Sequence, residues 1–444
     1  MALNPAIFKA VEKLDYRVTA GDVASQAGLD IKLAERDLVS LAADAGGHLQ
    51  VSEAGEIAYQ FPRNFRGILR NKFWQLRLKD WWERIWNVLF YIIRISFGIF
   101  LLISILVIFI TIAVITIYLS SRQGDNDRDD GFGGGMIFLP RFWFGPDLFW
   151  VFSPDYYRHR QQQRTPSRRR ANDSEMNFLE SVFSFLFGDG NPNADLEERR
   201  WRAIATVIRN NGGAVAAEQI APYLDDIGDG YEKDYEDYML PVLTRFGGRP
   251  EVSPDGHIIY HFPALQITAE RQGKQSTTNY LRESRWKFSN ASSGQLFLSA
   301  GLGALNVVGA LILGAMLNNL RAEGLISQLG GWVGFVNGIY WFLLAYGIGF
   351  VTVPLVRYAW IQWRNRKVDA RNEQRLERAN VLDGPSEELQ HKIDYAHQFA
   401  AETVITEDDL IYTTETDLIT QEAEQSGRID SEWQRLLEDR SKSR

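Results

Sequence analysis

The sequence predicts an α-helical membrane protein that carries two winged-helix-like α/β units. Three observations predict it. Residues 89–119 form one apolar run holding a single charge, Arg94, and about 20 apolar residues are enough to cross a bilayer core of roughly 30 Å. Two more apolar stretches, 295–317 and 332–356, are separated only by a short loop. Finally, GGHLQVSEAGEIAYQFP (46–62) aligns without gaps to GGRPEVSPDGHIIYHFP (247–263), with 9 of 17 columns identical. That agreement is a duplication signal.

Residues 1–62 read as the first unit. Ile7, Val11 and Leu14 share one face of a helix over 6–14. Thr19 is placed to cap a second helix, 20–27, which Gly28 stops, and 34–45 is a third. Two alternating runs around Glu53-Ala54-Gly55 then make a hairpin, the wing. Residues 195–265 repeat the pattern, with about four extra residues near 225–234.

Residues 63–88 read as a basic amphipathic helix beside the membrane. Arg63, Arg66, Arg70, Lys72, Arg77, Lys79 and Arg84, with Trp81 and Trp82, are expected at an anionic lipid surface, making membrane lipid the first expected partner. Within the run 89–119, the spanning part is 96–118. Residues 120–194 follow as a loop, in which 136–152, broken by Pro140 and Pro146, reads as a re-entrant or interfacial segment. At 177–187 an amphipathic helix should dock on the membrane or on the second unit. A basic linker, 266–293, leads to spans at 294–319 and 331–357. There Gly301, Gly303, Gly309 and Gly314 are expected to let helices approach closely, and Asn306 and Asn337 to bond between helices. Residues 358–444 read as helical, then acidic and solvated; TEDDLI (406–411) recurs there as TETDLI (414–419). Basic residues flank the hairpin of spans at both outer ends, which puts those ends, and the winged units, on the cytoplasmic side. Both units share a side only if 136–152 completes a return crossing.

The totals narrow the chemistry. The 444 residues include no cysteine, which excludes disulfides, thiolate catalysis, zinc fingers and thiolate-held iron–sulfur clusters within the chain. No cleavable signal is expected, because the first apolar run starts at residue 89, so insertion would use internal spans. The net charge is −8. The third helices, which would enter a DNA groove, are net acidic: Lys32, Glu35, Arg36, Asp37 and Asp44 in the first unit, and Tyr231-Glu232-Lys233-Asp234-Tyr235-Glu236-Asp237 in the second. Phosphates would be repelled, which argues against nucleic acid as a partner. Asp225, Asp229, Gly230 and Glu236 stand at four calcium-loop positions, but Ile227 occupies a ligand position. His257 and His261 lack a third ligand. No phosphate-loop, nucleophile-elbow or zinc-protease pattern occurs, so neither catalytic residues, cofactor nor metal are expected.

The order of a winged-type unit, a span, NFLESVFSFLFGDGNPN, a second unit ending IIYHFP and a glycine-rich hairpin resembles a family of membrane proteins of cyanobacteria and plastids. Its plastid members are loosely labelled iron–sulfur cluster biosynthesis proteins. The resemblance implies a photosynthetic prokaryote, a plasma or thylakoid membrane, and an accessory role in iron–sulfur cluster biogenesis as one alternative. From the residues themselves, the expectation is a non-enzymatic membrane protein whose duplicated units contact an unidentified membrane or cytoplasmic protein. Homo-oligomers are compatible with it. A membrane-tethered transcriptional regulator and a small oligomeric transporter or channel are the alternatives.

Overall fold

The computed structural model describes residues 4–72, 74–122 and 176–423, together with 426, 433 and 434; the segment 136–152 lies outside them. In chain order the main elements are α1 (Pro5–Lys13), β1 (Arg17–Thr19), α2 (Ala20–Ala27), α3 (Ile31–Ala45), β2 (His48–Ser52), β3 (Ile57–Gln60), α4 (Phe65–Lys72) and α5 (Trp74–Arg122). After the gap come α6 (Phe178–Phe187), α7 (Leu196–Asn210), β4 (Ala214–Val215), α8 (Ala217–Ile220), α9 (Tyr231–Asp234), α10 (Leu240–Phe246), β5 (Arg249–Val252) and β6 (Ile258–His261). The last are β7 (Ile267–Thr268), α11 (Ser293–Ala322), α12 (Gly331–Asp383), α13 (Glu387–His397), β8 (Thr403–Val404) and β9 (Leu410–Thr413). They divide into two compact units. One gathers Met1–Trp81, Pro192–Arg285 and Lys367–Arg444; the other gathers Trp82–Asn191 and Trp286–Arg366.

In the first unit, side-chain caps set the helix starts. Asn4 accepts from the Ala6 amide at 3.0 Å, and Thr19 and Asp22 cap each other's backbone at 3.0 Å. Asp30 accepts from the Lys32 and Leu33 amides, so α3 begins at Ile31 rather than at the expected 34. Gly28 and Gly46 close α2 and α3 at φ of +66° and +69°, where a side chain would be strained.

The two hairpins carry the same bonds. Ser52 N–H donates to Glu56 O at 2.9 Å, and Ser253 N–H to His257 O at 2.8 Å. Tyr59 lies opposite Leu49 and Val18, and Tyr260 opposite Pro250 and Val215. The short strands β1 and β4, which add a third strand to each hairpin, were not expected from the sequence. They form because Phe61 N–H and Phe262 N–H reach back to Tyr16 O and Gly213 O, at 2.8 and 2.7 Å.

The sheets differ at their edges. The first runs β1-β3-β2-β9 and the second β4-β6-β5. The tail expected to be solvated therefore supplies a strand: Tyr412 pairs with Val51, and Thr414 N–H donates to Leu49 O at 3.0 Å. An open edge strand offers unpaired amides and carbonyls, and the apolar LIYT segment satisfies those of β2. At the place of Leu49 the second hairpin has Pro250, which carries no N–H, and Tyr395 Oη donates to Val252 O at 3.2 Å. The recurrence of TEDDLI as TETDLI does not make a second strand, since helix begins at Leu418.

Both halves share one core, in which Val23, Leu38 and Leu41 are buried together with Ile204, Ile208, Val242 and Phe246. Helix α2 packs on α7, and a Cβ on Gly21 would stand 2.1 Å from Ala264 O. Backbone lies on both sides of that contact and neither side can yield cheaply. Gly21→Ala is therefore expected to cost about 3 kcal/mol, checked as a lowered melting temperature of the full chain in mild detergent.

In the second unit three helices are long and apolar enough to cross a membrane: 84–122 of α5, α11, and α12. Helix α5 is continuous from Trp74 to Arg122, with no break at the expected boundary between juxtamembrane helix and span. Helix α12 runs through Pro354 to Asp383, so the expected span 331–357 and the helical start of the tail form one element; one lost backbone bond is tolerated in such a helix. The α6 helix packs on α5, with Phe183 5.9 Å from Phe90 and 5.7 Å from Phe97.

Candidate functional site

The excursion between Asp225 and Glu236, extra to the second half, is clamped at both ends by buried cations of the C-terminal helices. At its start, Asp225 is bound by Arg200 of α7 and Arg375 of α12. Arg375 is only 1% exposed; it also donates to Leu281 O and to Glu283 Oε1, each at 2.9 Å. Arg371 grips the same Glu283 through both carboxylate oxygens, at 2.8 and 2.6 Å. Burial pushes the Asp225 and Glu283 carboxyls up, but these arginines outweigh it and hold both below the usual carboxylate range.

At the other end, Glu236 sits at φ +55°, a left-handed conformation that a side chain adopts only when held. It is held by Lys392 of α13 and by Tyr260, whose hydroxyl donates to Glu236 Oε2 at 2.8 Å. Burial would lower the Lys392 ammonium; Glu218 and Glu236 together raise it instead. Burial and the Glu236 charge push the Tyr260 phenol upward.

Between the clamps the chain turns at Gly228 and Gly230, both at positive φ, and ends in the single turn α9. Tyr231 and Tyr235 stack there with centroids 4.1 Å apart, yet remain 69% and 59% exposed. Asp229, Glu232 and Asp234 surround them, all exposed, with Lys233 the one cation of that turn. Two rigid aromatic faces ringed by carboxylates offer contact area at low entropic cost and a field that attracts cations.

The corresponding face of the first half is plainer. Lys32, Glu35, Arg36 and Val39 of α3 are exposed, and Arg36 is engaged by Asp37 at 3.0 Å, so no surplus of positive charge is left. Of the histidines, His257 faces Glu388 at 3.7 Å and His261 faces Gln266 at 3.1 Å. Among the described residues no group of three or more His, Asp or Glu is placed to hold a metal ion.

The residues expected at a lipid surface are partly described. Trp81, Trp82, Arg63 and Arg84 are exposed, and Arg66 pairs with Glu12 at 2.8 Å. The side chains of Arg70, Lys72, Arg77 and Lys79 lie outside the described set. Among the packing residues, a Cβ on Gly309 would stand 2.9 Å from Ile108, and one on Gly314 1.9 Å from the Tyr340 hydroxyl. Gly301 departs from expectation: it is exposed with nothing within 4 Å, whereas Gly303, one residue pair along, packs on Phe350. Asn306 Nδ2 donates to Ser104 Oγ at 2.7 Å, joining α11 to α5. Asn337 Oδ1 accepts from Arg321 Nε at 2.8 Å, joining α12 to α11.

Arg375, Arg371 and Lys392 escaped sequence reasoning. In a tail of mixed charge nothing local marks a cation whose partner is 92, 88 or 156 residues away. The one available signal was the spacing of Arg371, Arg375 and Arg378, which puts three cations on one helix face.

No protein-family model matches the chain, and no solved structure does. The chain is 36% identical to a protein of Arabidopsis thaliana named "Uncharacterized protein At5g03900, chloroplastic", over 450 positions covering 98% of this chain and 82% of the relative. At that identity, and over nearly its full length, the chain belongs to the family of this chloroplastic protein.

Proposed function

We propose that this is a non-enzymatic integral membrane protein of a plasma or thylakoid membrane. Its two winged-helix units, copies of one another, bind a protein partner during assembly or organisation of membrane complexes. The observation that carries the reading is the clamped excursion with its exposed Tyr231–Tyr235 stack, an expensive surface to build on a fold that needs none of it. A partner segment rich in Lys and Arg fits it, because guanidinium groups stack on phenol rings while carboxylates pair with their charge. The absence of any cationic surplus on α3 favours this over a membrane-tethered transcriptional regulator.

A photo-crosslinking residue in place of Tyr235, in intact membranes, is expected to trap a discrete partner whose adduct is lost on Glu232→Lys with Asp234→Lys. A crosslinker in place of Val39, in the other half of the same compact unit, shows which adducts depend on the excursion. No adduct from Tyr235, or one unchanged by Glu232→Lys with Asp234→Lys, would remove the proposal.

A further inference from the structure

A second surface of the first unit has the opposite character. Where α1, α7 and the chain 271–275 meet, a cleft of about 740 Å³ opens. Lys13, Arg202, Arg209, Arg271 and Lys274 line it, against one carboxylate, Glu402. The whole chain is acidic, with a net charge of −8, so five cations against one anion in a single concavity are a local reversal of sign.

Not all five are available. Arg209 donates to Asp22 Oδ1 and to Ser25 Oγ, both at 2.9 Å, and Arg202 pairs with Glu198. Lys13, Arg271 and Lys274 make no ion pair among the described residues and are exposed. Arg202 Nε is buried without a partner in the structure, while Nη2 pairs with Glu198.

The loop that carries two of the free cations is held in place. Asn210 Nδ2 donates to Gln275 O at 2.8 Å, and the Gln275 amide returns to Asn210 Oδ1 at 3.0 Å. Gln272 Oε1 accepts from Gln275 Nε2 at 3.2 Å, and Gln272 Nε2 reaches Asp22 at 3.4 Å. Arg271 and Lys274 thus stand on a pinned segment beside the end of α7, with their side chains exposed and without an ion pair among the described residues.

We propose that this cleft binds a compact polyanion carrying phosphate groups. A cleft lined by one sign of charge concentrates its field on whatever enters, and arginine and lysine are the side chains that recognise phosphate oxygens. The remaining lining includes six side-chain amides and the His397 imidazole, with Leu265 as its one large apolar residue. The lining is polar and holds no Phe, Tyr or Trp, which suits a small polar body bearing phosphate. The same chemistry is offered by a soluble phosphate ester and by the headgroup of an anionic lipid.

The test uses the full chain in nanodiscs and inorganic pyrophosphate as the probe, titrated calorimetrically at fixed ionic strength. Saturable binding is expected, at least about tenfold weaker in the double variant Arg271→Gln with Lys274→Gln. Both side chains are exposed and unbonded, so the variant should melt with the parent. Should it not, Lys13→Gln gives the same reading from the other wall. Lys32→Glu, on the outward face of α3, should leave the affinity unchanged. Discs of phosphatidylcholine alone are compared with discs containing phosphatidic acid. Equal binding in both assigns the cleft to a soluble ligand, and competition by phosphatidic acid assigns it to a lipid headgroup. No saturable heat and no lipid effect, or equal weakening by Lys32→Glu, would overturn the proposal.

Discussion

Asp22→Ala is expected to be among the most damaging single substitutions in the chain, at about 3–5 kcal/mol. Asp22 is 1% exposed and lies where the two halves of the first unit meet. Its Oδ1 accepts from Arg209 Nη1 and Thr268 Oγ1, both at 2.9 Å. Its Oδ2 accepts from the Thr19 amide at 3.0 Å and the Ala269 amide at 2.9 Å. Removing the carboxylate takes the charge partner from the Arg209 guanidinium and strands the two buried amides of Thr19 and Ala269. Thermal unfolding of the full chain in mild detergent reads the loss. Asp22→Asn keeps the shape and removes the charge, so it should cost less than Asp22→Ala. A double-mutant cycle with Arg209→Met should show the two sites strongly coupled. Additive effects would mean that Asp22 serves its own helix cap and not the join between halves.

Arg375→Met should cost a similar amount, about 3–5 kcal/mol, because it leaves Glu283 buried with one cation fewer and leaves Asp225, at one end of the excursion, held by Arg200 alone. It should also change the dependence on pH. Asp225 and Glu283 titrate below their ordinary values in the folded chain. Depressed carboxylates contribute stability that is complete above the unfolded-state pKa, about 4, and is lost as pH falls through the folded-state values. Without Arg375 those values rise, so the acid limb of the stability curve should move to higher pH. Melting temperatures of parent and variant measured from neutral pH down to about 3 check this. Parallel curves across that range would show that Arg375 acts by packing alone.

Much of the local structure was legible. Thr19, Gly28 and Gly46 set helix ends because caps act within four residues. The apolar runs announced themselves because a membrane-length helix needs only length and composition. The hairpins were readable from alternation, and their likeness from identities at Gly55, Tyr59 and Phe61. The start of α3 was missed because Asp30 as a cap competes with a helix start later in the sequence, and only geometry shows it bonded to Lys32 and Leu33. Of the small residues in α11, Gly301 and Gly303 are indistinguishable as letters; the crossing of Phe350 picks out Gly303.

By itself the sequence determined three membrane-length apolar helices, the twin helix-and-hairpin pattern and the acidic, aromatic character of the excursion. Only the tertiary structure decided that both halves share one core through Asp22, that the tail supplies β9 to β2, and that Arg375 and Lys392 hold the excursion at its two ends. The division has a physical reason. Helices, turns and apolar spans are decided by residues a few positions apart, whereas a buried ion pair forms between groups the chain brings together only after the rest has packed.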